Sequence, residues 1–202
     1  QNGCQLWWPG AVASSNSPKA ITSAGNVTQV LPFPGAGIGM FDGTGDYISV
    51  TDWYSSGCGT LFSSDFTIEF NVRFNTTGSI QRIIGQTVTA GTTFWQAIYH
   101  GTQNQIIFNR MVSGSYTFDY RCSFTPVAGT WYHIALERMN SVWYILINGV
   151  AQTVIITAAY SGDTNFNAPL TIGDAQTIGE YSFNGQLSEV RISSVYRYAA
   201  SP

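Results

Sequence analysis

The chain has 202 residues, enough to bury a full hydrophobic core in one domain. Charged residues make up only 9%, and a net charge of −3 with a pI near 5.1 leaves no basic stripe to drive nucleic-acid binding by counterion release. No apolar run approaches the roughly 18 residues that a membrane-spanning helix needs.

The first segment, residues 1–37, contains Pro9, Pro18, Pro32 and Pro34 and a polar run at 14–17, which argue against a regular element over most of its length. Leu6, Trp7 and Trp8 are too apolar to be left in solvent. The segment reads as an extended arm whose aromatic end packs on the rest of the chain or on a neighbouring subunit. It lacks the basic-then-apolar pattern of a signal peptide, which implies either a leader already removed or release by a route such as lysis.

From residue 38 to 202 short strand signals follow one another. Residues 47–51 come first. Residues 65–74 (DFTIEFNVRF) then alternate cleanly, with Phe66, Ile68, Phe70, Val72 and Phe74 on one face and Thr67, Glu69, Asn71 and Arg73 on the other. Strands are expected at 80–86, 94–100, 105–111, 116–122, 170–172 and 186–195. Residues 131–137 and 142–150 read as two strands of one antiparallel sheet. The second runs into Asn148-Gly149, the strongest short hairpin signal, so that residues 150–156 should fold back on 142–147. No segment shows a 3.6-residue period, and β-branched and aromatic residues dominate the apolar set. The expected fold is an all-β sandwich or barrel in a single domain.

Cys4, Cys58 and Cys122 are an odd set, allowing one disulfide in any of three ways or three free thiols, with no metal-type spacing. Asn26 and Asn75 open formal glycosylation motifs, which chance explains in a chain so rich in Asn, Ser and Thr.

In order and spacing, residues 41–48 (FDGTGDYI), 65–70 (DFTIEF), 130–136 (TWYHIAL), 143–149 (WYILING) and 183–192 (FNGQLSEVRI) resemble the laminin-G-like jelly rolls of the concanavalin A-like lectin and glucanase superfamily. The resemblance covers about residue 38 to the C-terminus and implies a two-sheet antiparallel jelly-roll sandwich. Residues 195–202 (VYRYAASP) are similar to the tail of copies found in bacteriophage virion proteins and secreted bacterial proteins. This implies an extracellular or virion-surface location, with host-surface or environmental polysaccharide, or other virion subunits met through the arm, as partners, and allows a homo-oligomer. The chain departs from the family at residues 52–64, which are longer than usual, and at Asn71, where a Trp is frequent.

Catalysis is not expected. Family 16 glucanases of this superfamily use carboxylates at alternate positions on one strand, so that two lie about 5 Å apart across the scissile bond. Glu69 has Thr67 and Asn71 as same-face neighbours, and Glu189 has Leu187 and Arg191. His100 and His133 read as a surface residue and a structural hydrogen-bonder. Asp42, Asp46 and Glu189 are the candidates for a structural calcium ion at the rim, the one cofactor the resemblance allows. Asp42 and Asp46 also read as Asx caps of the Gly-rich turn, and the sparse carboxylate spacing favours that reading. Sugar sites use flat rings edged by polar groups. Trp95 and Tyr99 share a face with Ala97 and, as the resemblance implies, read as core, while Trp131 and Trp143 read either way. Trp53, Tyr54 and Tyr181, placed on loops, are the candidates for a carbohydrate edge, with sealing of the rim as the competing role. The sequence thus supports a non-catalytic glycan-binding or adhesion module, most plausibly on a phage particle. The alternatives are a structural virion protein without a ligand, a capsid decoration or tail component, and, less favoured, a glycoside hydrolase.

Overall fold

Alternation decides the architecture. In the computed structural model, which describes residues 5–8, 21–33, 36–51, 61–89, 91–163, 166–174 and 181–198, Phe66, Ile68, Phe70, Val72 and Phe74 all lose their solvent contact on one side of their strand. Such a face is stable only against a second apolar layer. Sixteen strands among the described residues supply the two layers: β1 Gln5–Trp8, β2 Ile21–Ala24, β3 Thr28–Phe33, β4 Ala36–Asp42, β5 Tyr47–Val50, β6 Phe66–Phe74, β7 Ile80–Thr89, β8 Thr93–His100, β9 Gln105–Val112, β10 Ser115–Ser123, β11 Trp131–Met139, β12 Val142–Ile147, β13 Val150–Ala151, β14 Ile155–Ala158, β15 Leu170–Ile172 and β16 Asn184–Ser193. A 3-10 turn at Leu61–Ser63 is the one helical element among the described residues.

The first sheet runs β13-β12-β11-β6-β16-β4-β3, with β1 beside β16, and the second runs β14-β10-β9-β8-β7-β15-β5-β2. Every pairing is antiparallel. The sandwich is open, and the expected two-sheet jelly roll is the fold observed. Aromatic rings fill the core between the sheets. Trp143 stacks on Tyr120 with ring centres 4.5 Å apart, and Phe62 meets Phe66, Trp95 and Phe118 edge-on. Trp95 and Tyr99 belong to this core, as their shared face with Ala97 implies.

The hairpin at Asn148-Gly149 forms as its residues dictate, with both at positive φ, 51° and 78°. Its return strand is shorter than the sequence suggests. Only Val150 and Ala151 pair with β12, after which the chain crosses to the second sheet and Ile155–Ala158 pairs with β10. Shortening β13 limits the open edge of the first sheet, the usual way such edges are kept from pairing with other chains.

Within residues 1–37, β1 pairs with β16, β2 with β5 and β3 with β4. Pro32 lies in β3, an edge strand, at the register slip between Val30 and Phe33, where a missing N–H costs no ladder bond. In β16 a bulge sets Glu189 and Val190 against the single residue Phe70, with Glu189 at φ 51°. Cys122 is a free thiol buried in the core, and burial pushes its pKa up to about 12. Cys4 and Cys58 lie outside the described residues.

Candidate functional site

Because side chains alternate, the residues between the core positions of the second sheet share its outer face. Register aligns them across six strands: Ser49 on β5 faces Thr171 on β15, then Gly85 on β7, Gln96 on β8, Asn109 on β9 and Asp119 on β10. At about 4.8 Å per strand step this row is roughly 24 Å long. Its side chains are small, polar and, except for Asp119, neutral. None is more than 8% exposed, so these side chains are buried rather than open to solvent. Phe94, Ile98 and Ile107 flank it, also buried.

Part of the row is bonded within the protein, Thr171 Oγ1 donating to Gly85 O at 3.2 Å, but three of its neutral acceptors are not. Ser49 Oγ, Gln96 Oε1 and Asn109 Oδ1, and Gln105 Oε1 at the end of β9, are buried and make no hydrogen bond. The amides on the core side of the same sheet behave in the opposite way. Gln86 accepts from Trp95 Nε1 at 2.6 Å and donates to Ala168 O at 2.7 Å, and Gln81 donates to Thr76 O and accepts from Asn184 N. A buried acceptor without a donor costs about 1–3 kcal/mol. Acceptors clustered in this way take their hydrogen bonds from ordered water or from a ligand.

Arg82 enters this row from one side. It lies on the outer face opposite Ile98, and its Nη1 donates to Thr87 Oγ1 at 3.0 Å, five residues along the same strand. Only Gly85 separates them on that face, so the guanidinium lies over the glycine, in the middle of the polar row, with the Phe94 ring centre 6.0 Å away. Gly85 is required there for a second reason: a Cβ would stand 2.3 Å from Trp95 O. Arg82 is 3% exposed and its Nε makes no hydrogen bond. Burial lowers its pKa to about 10, against the opposing pull of Asp174 and Tyr181. At the far end, Asp119 is held by Arg121 through both oxygens, with Nε at 2.7 Å from Oδ1 and Nη2 at 2.5 Å from Oδ2.

The outer face of the first sheet is closed differently. The C-terminal residues 195–198 strap across β6 and β11: Thr67 Oγ1 donates to Val195 O, and the N–H groups of Arg197 and Tyr198 donate to Glu137 Oε2 at 2.7 Å each. Glu69 Oε2 accepts from the Tyr198 hydroxyl and lies 3.1 Å from His133 Nε2, while Oε1 is 2.7 Å from Arg197 Nε and 3.7 Å from Arg191. Burial raises the Glu69 pKa, but the hydrogen bonds of His133 and Tyr198 and the charges of Arg197 and Arg191 outweigh it and hold the carboxyl below its ordinary range. Burial and Glu69 push the Tyr198 hydroxyl up to about 12. Glu69 and Glu137 are diagonal neighbours on adjacent strands, a pairing invisible along β6 alone. Both are engaged by the strap.

Of the expected site residues, Trp53 and Tyr54 lie outside the described residues. Tyr181 is 37% exposed and its carbonyl accepts from Arg82 N at 2.7 Å, which puts it at the rim of the polar row. Asp42, Asp46 and Glu189 are not brought together. Asp42 faces Asn184, while Glu189 lies five residues further along β16, about 16 Å at strand rise. Asp46 accepts Asn26 N and Asp42 N, and Asp42 accepts Thr44 N, so these carboxylates cap the turn. The three do not form one calcium site, and among the described residues no group of three or more His, Cys, Asp or Glu is placed to hold a metal. His100 contacts Thr102 at the strand end. The sequence reading passed over Ser49, Arg82, Gln96, Asn109 and Thr171. Their signal was a polar residue at every second position of otherwise apolar strands, and its register across strands exists only in the fold.

A laminin-G-type family model, described as concanavalin A-like lectin/glucanases superfamily, matches residues 42–201, and the chain belongs to that superfamily. No curated protein sequence matches it. Among solved structures the chain is similar to domain 4 of AbnA, a GH43 extracellular arabinanase from Geobacillus stearothermophilus, in complex with arabinotriose. The two share 14% identity with a TM-score of 0.68 over 97% of this chain and 95% of that one. It is also similar to the binding domain of botulinum neurotoxin serotype C1, at 16% identity and a TM-score of 0.72 over 97% of this chain. The chain spans about half (49%) of that toxin domain. A further neighbour, at 16% identity and a TM-score of 0.71, is the type C neurotoxin whose cell entry depends on two ganglioside molecules. At these identities the likeness is one of fold.

Proposed function

We propose that this member of the concanavalin A-like lectin/glucanase superfamily is a non-catalytic binding module, displayed outside the cell, that holds an oligosaccharide along the outer face of its second sheet. The observation that carries the reading is the row of buried, unbonded neutral acceptors at Ser49, Gln96 and Asn109. Sugar hydroxyls are both donors and acceptors, and a neutral row of amides and hydroxyls matches them without the desolvation cost of paired charges. Tyr181 stands at the rim, where an exposed ring can close over a ligand, and Trp53 and Tyr54 are proposed to complete that edge. The neighbour in complex with arabinotriose, and the toxin binding domains, support this use of the fold.

A non-catalytic role agrees with how the carboxylates are spent. Asp119 is tied to Arg121, Asp174 accepts from Ser182 Oγ, and Glu69 and Glu137 are held by the strap. No helix among the described residues is long and apolar enough to cross a membrane. The resemblance of the tail at 195–202 to copies in phage virion proteins and in secreted bacterial proteins is the ground for proposing a virion surface as the place of display.

A structural virion protein without a ligand is the second reading. Val150, Ile155 and Ile156, exposed where β13 and β14 end the two sheets, favour it as a contact between subunits. A glycan array followed by titration calorimetry separates the two. The binding reading expects at least one oligosaccharide whose affinity falls tenfold or more in Gln96→Ala and Asn109→Ala. Absence of any bound glycan leaves the structural reading in place, and binding indifferent to both substitutions overturns the placement of the sugar on this row.

A further inference from the structure

Arg82 is built in a way that a site for neutral sugars does not explain. Two arginines of the described chain are buried, and they are treated differently. Arg110 has Asp163 at 3.4 Å, donates to Thr117 Oγ1 and Gly162 O, and lies against the Phe166 ring. Arg82 has no described carboxylate within ion-pair distance: Asp174 acts on it only through space, and its one hydrogen-bond acceptor is a hydroxyl. Breaking or omitting the partner of a buried charge is among the costliest arrangements a fold can carry. A planar guanidinium with a spare N–H edge is also the group best shaped to grip a carboxylate. Lysine, the alternative cation, offers no such edge.

The position of the guanidinium matters as much as its state. Gly85 removes the side chain that would otherwise occupy the middle of the row, and Arg82 lies in the space, between the hydroxyls of Ser49 and Thr171 on one side and the amides of Gln96 and Asn109 on the other. Phe94 bounds it below and Tyr181 stands beside it. Of the other charges near this region, Asp119 and Arg121 neutralise one another at the β10 end, while Asp174, which accepts from Ser182 Oγ, keeps its charge and acts on Arg82 through space without bonding it. One positive group therefore stands ready at the centre of a neutral row.

We infer that Arg82 is the seat of a carboxylate on the bound sugar, so that the ligand is an oligosaccharide carrying a uronic-acid ring at its centre with neutral hydroxyl contacts to either side. The inference rests on the glycan-binding reading and narrows its ligand class. A single seat, rather than a basic patch, also fits a protein of net charge −3, which would repel a dense polyanion.

An array of neutral oligosaccharides, uronate-bearing oligosaccharides and the methyl esters of the latter tests this, followed by calorimetry of the best uronate at low and at physiological salt. The intact chain is expected to bind the acid at least tenfold more tightly than its ester. Arg82→Gln should abolish that preference while keeping its affinity for the ester, and Arg82→Lys should restore it only in part. Equal binding of acid and ester by the intact chain overturns the inference and leaves the glycan reading standing; failure of every sugar to bind removes both. The acid-to-ester ratio needs no variant, so misfolding of the substituted proteins would not blunt the test. An acid preference that persists in Arg82→Gln would also overturn it.

Discussion

The two outer faces of this sandwich start from the same alternation of apolar and polar residues, and they end in opposite electrostatic states. On the first sheet, Glu69 gathers His133, Tyr198, Arg191 and Arg197, and Glu137 takes three donors on one oxygen, leaving the other without one. On the second, neutral acceptors and one arginine edge are buried with nothing to bond. The first face therefore contributes stability and has little left to offer a ligand. The second gives up stability and keeps its chemistry in reserve, the usual relation between a site and its scaffold.

Removing the hub of the first face should have the largest effect. Glu69→Ala removes the shared partner of Arg197, Arg191 and His133, and should destabilise the fold by about 1–3 kcal/mol in urea denaturation, less than for a fully buried ion pair because those partners keep solvent contact. Glycan binding by the folded fraction should be unchanged. The same residue sets an acid limit. Its folded pKa lies below the unfolded value of 4.5, so the folded chain releases this proton more readily. The stabilisation is present above that value and is lost as pH falls through the folded one. Melting temperature should drop on acidification in the native chain and less steeply in Glu69→Gln. A first face contributing only packing would give parallel curves.

The second face should respond with the opposite sign. Asn109→Leu removes a buried acceptor that makes no bond, and should leave stability unchanged or raise it by about 1 kcal/mol, because no hydrogen bond is lost and a desolvation cost is relieved. Binding of any oligosaccharide held by the row should fall at least tenfold. Loss of stability together with loss of binding would mean that Asn109 is a structural residue, and the contrast between the faces would fail.

Legibility in the sequence followed the same division. The strands could be read because one-dimensional alternation in segments such as 65–74 forces a buried face, and the hairpin because Asn148-Gly149 tolerates positive φ. The core role of Trp95 and Tyr99 followed from their shared face taken together with the family resemblance. The site could not be read in this way. Gln96 on β8 and Thr171 on β15 become neighbours of one row only through pairing between strands 75 residues apart in sequence, and polar residues at alternate strand positions look like ordinary solvated surface. Glu69 and Glu137 show the same limit: each strand alone presents one carboxylate, and only the β6-β11 register places them diagonally. Turn chemistry misled in one place. It set the fold-back at Val150 correctly but could not show that the chain leaves β12 after two pairs, a choice made by the needs of the second sheet's edge.

The smallest effect should come from that same hairpin. Gly149 sits at φ 78°, where an alanine side chain is strained, yet no atom stands within 4 Å of where its Cβ would be. Gly149→Ala should therefore cost only the conformational term, about 1 kcal/mol. The turn is tied to the first face, because Asn148 Oδ1 accepts His133 N at 2.8 Å and Asn148 N donates to His133 O, and His133 in turn contacts Glu69. Loosening the turn should thus lower the acid resistance set by Glu69 slightly, while affinity at the second face, across the core, stays at its native value. A change in sugar affinity in this variant would show that the two faces are coupled through the sandwich rather than independent.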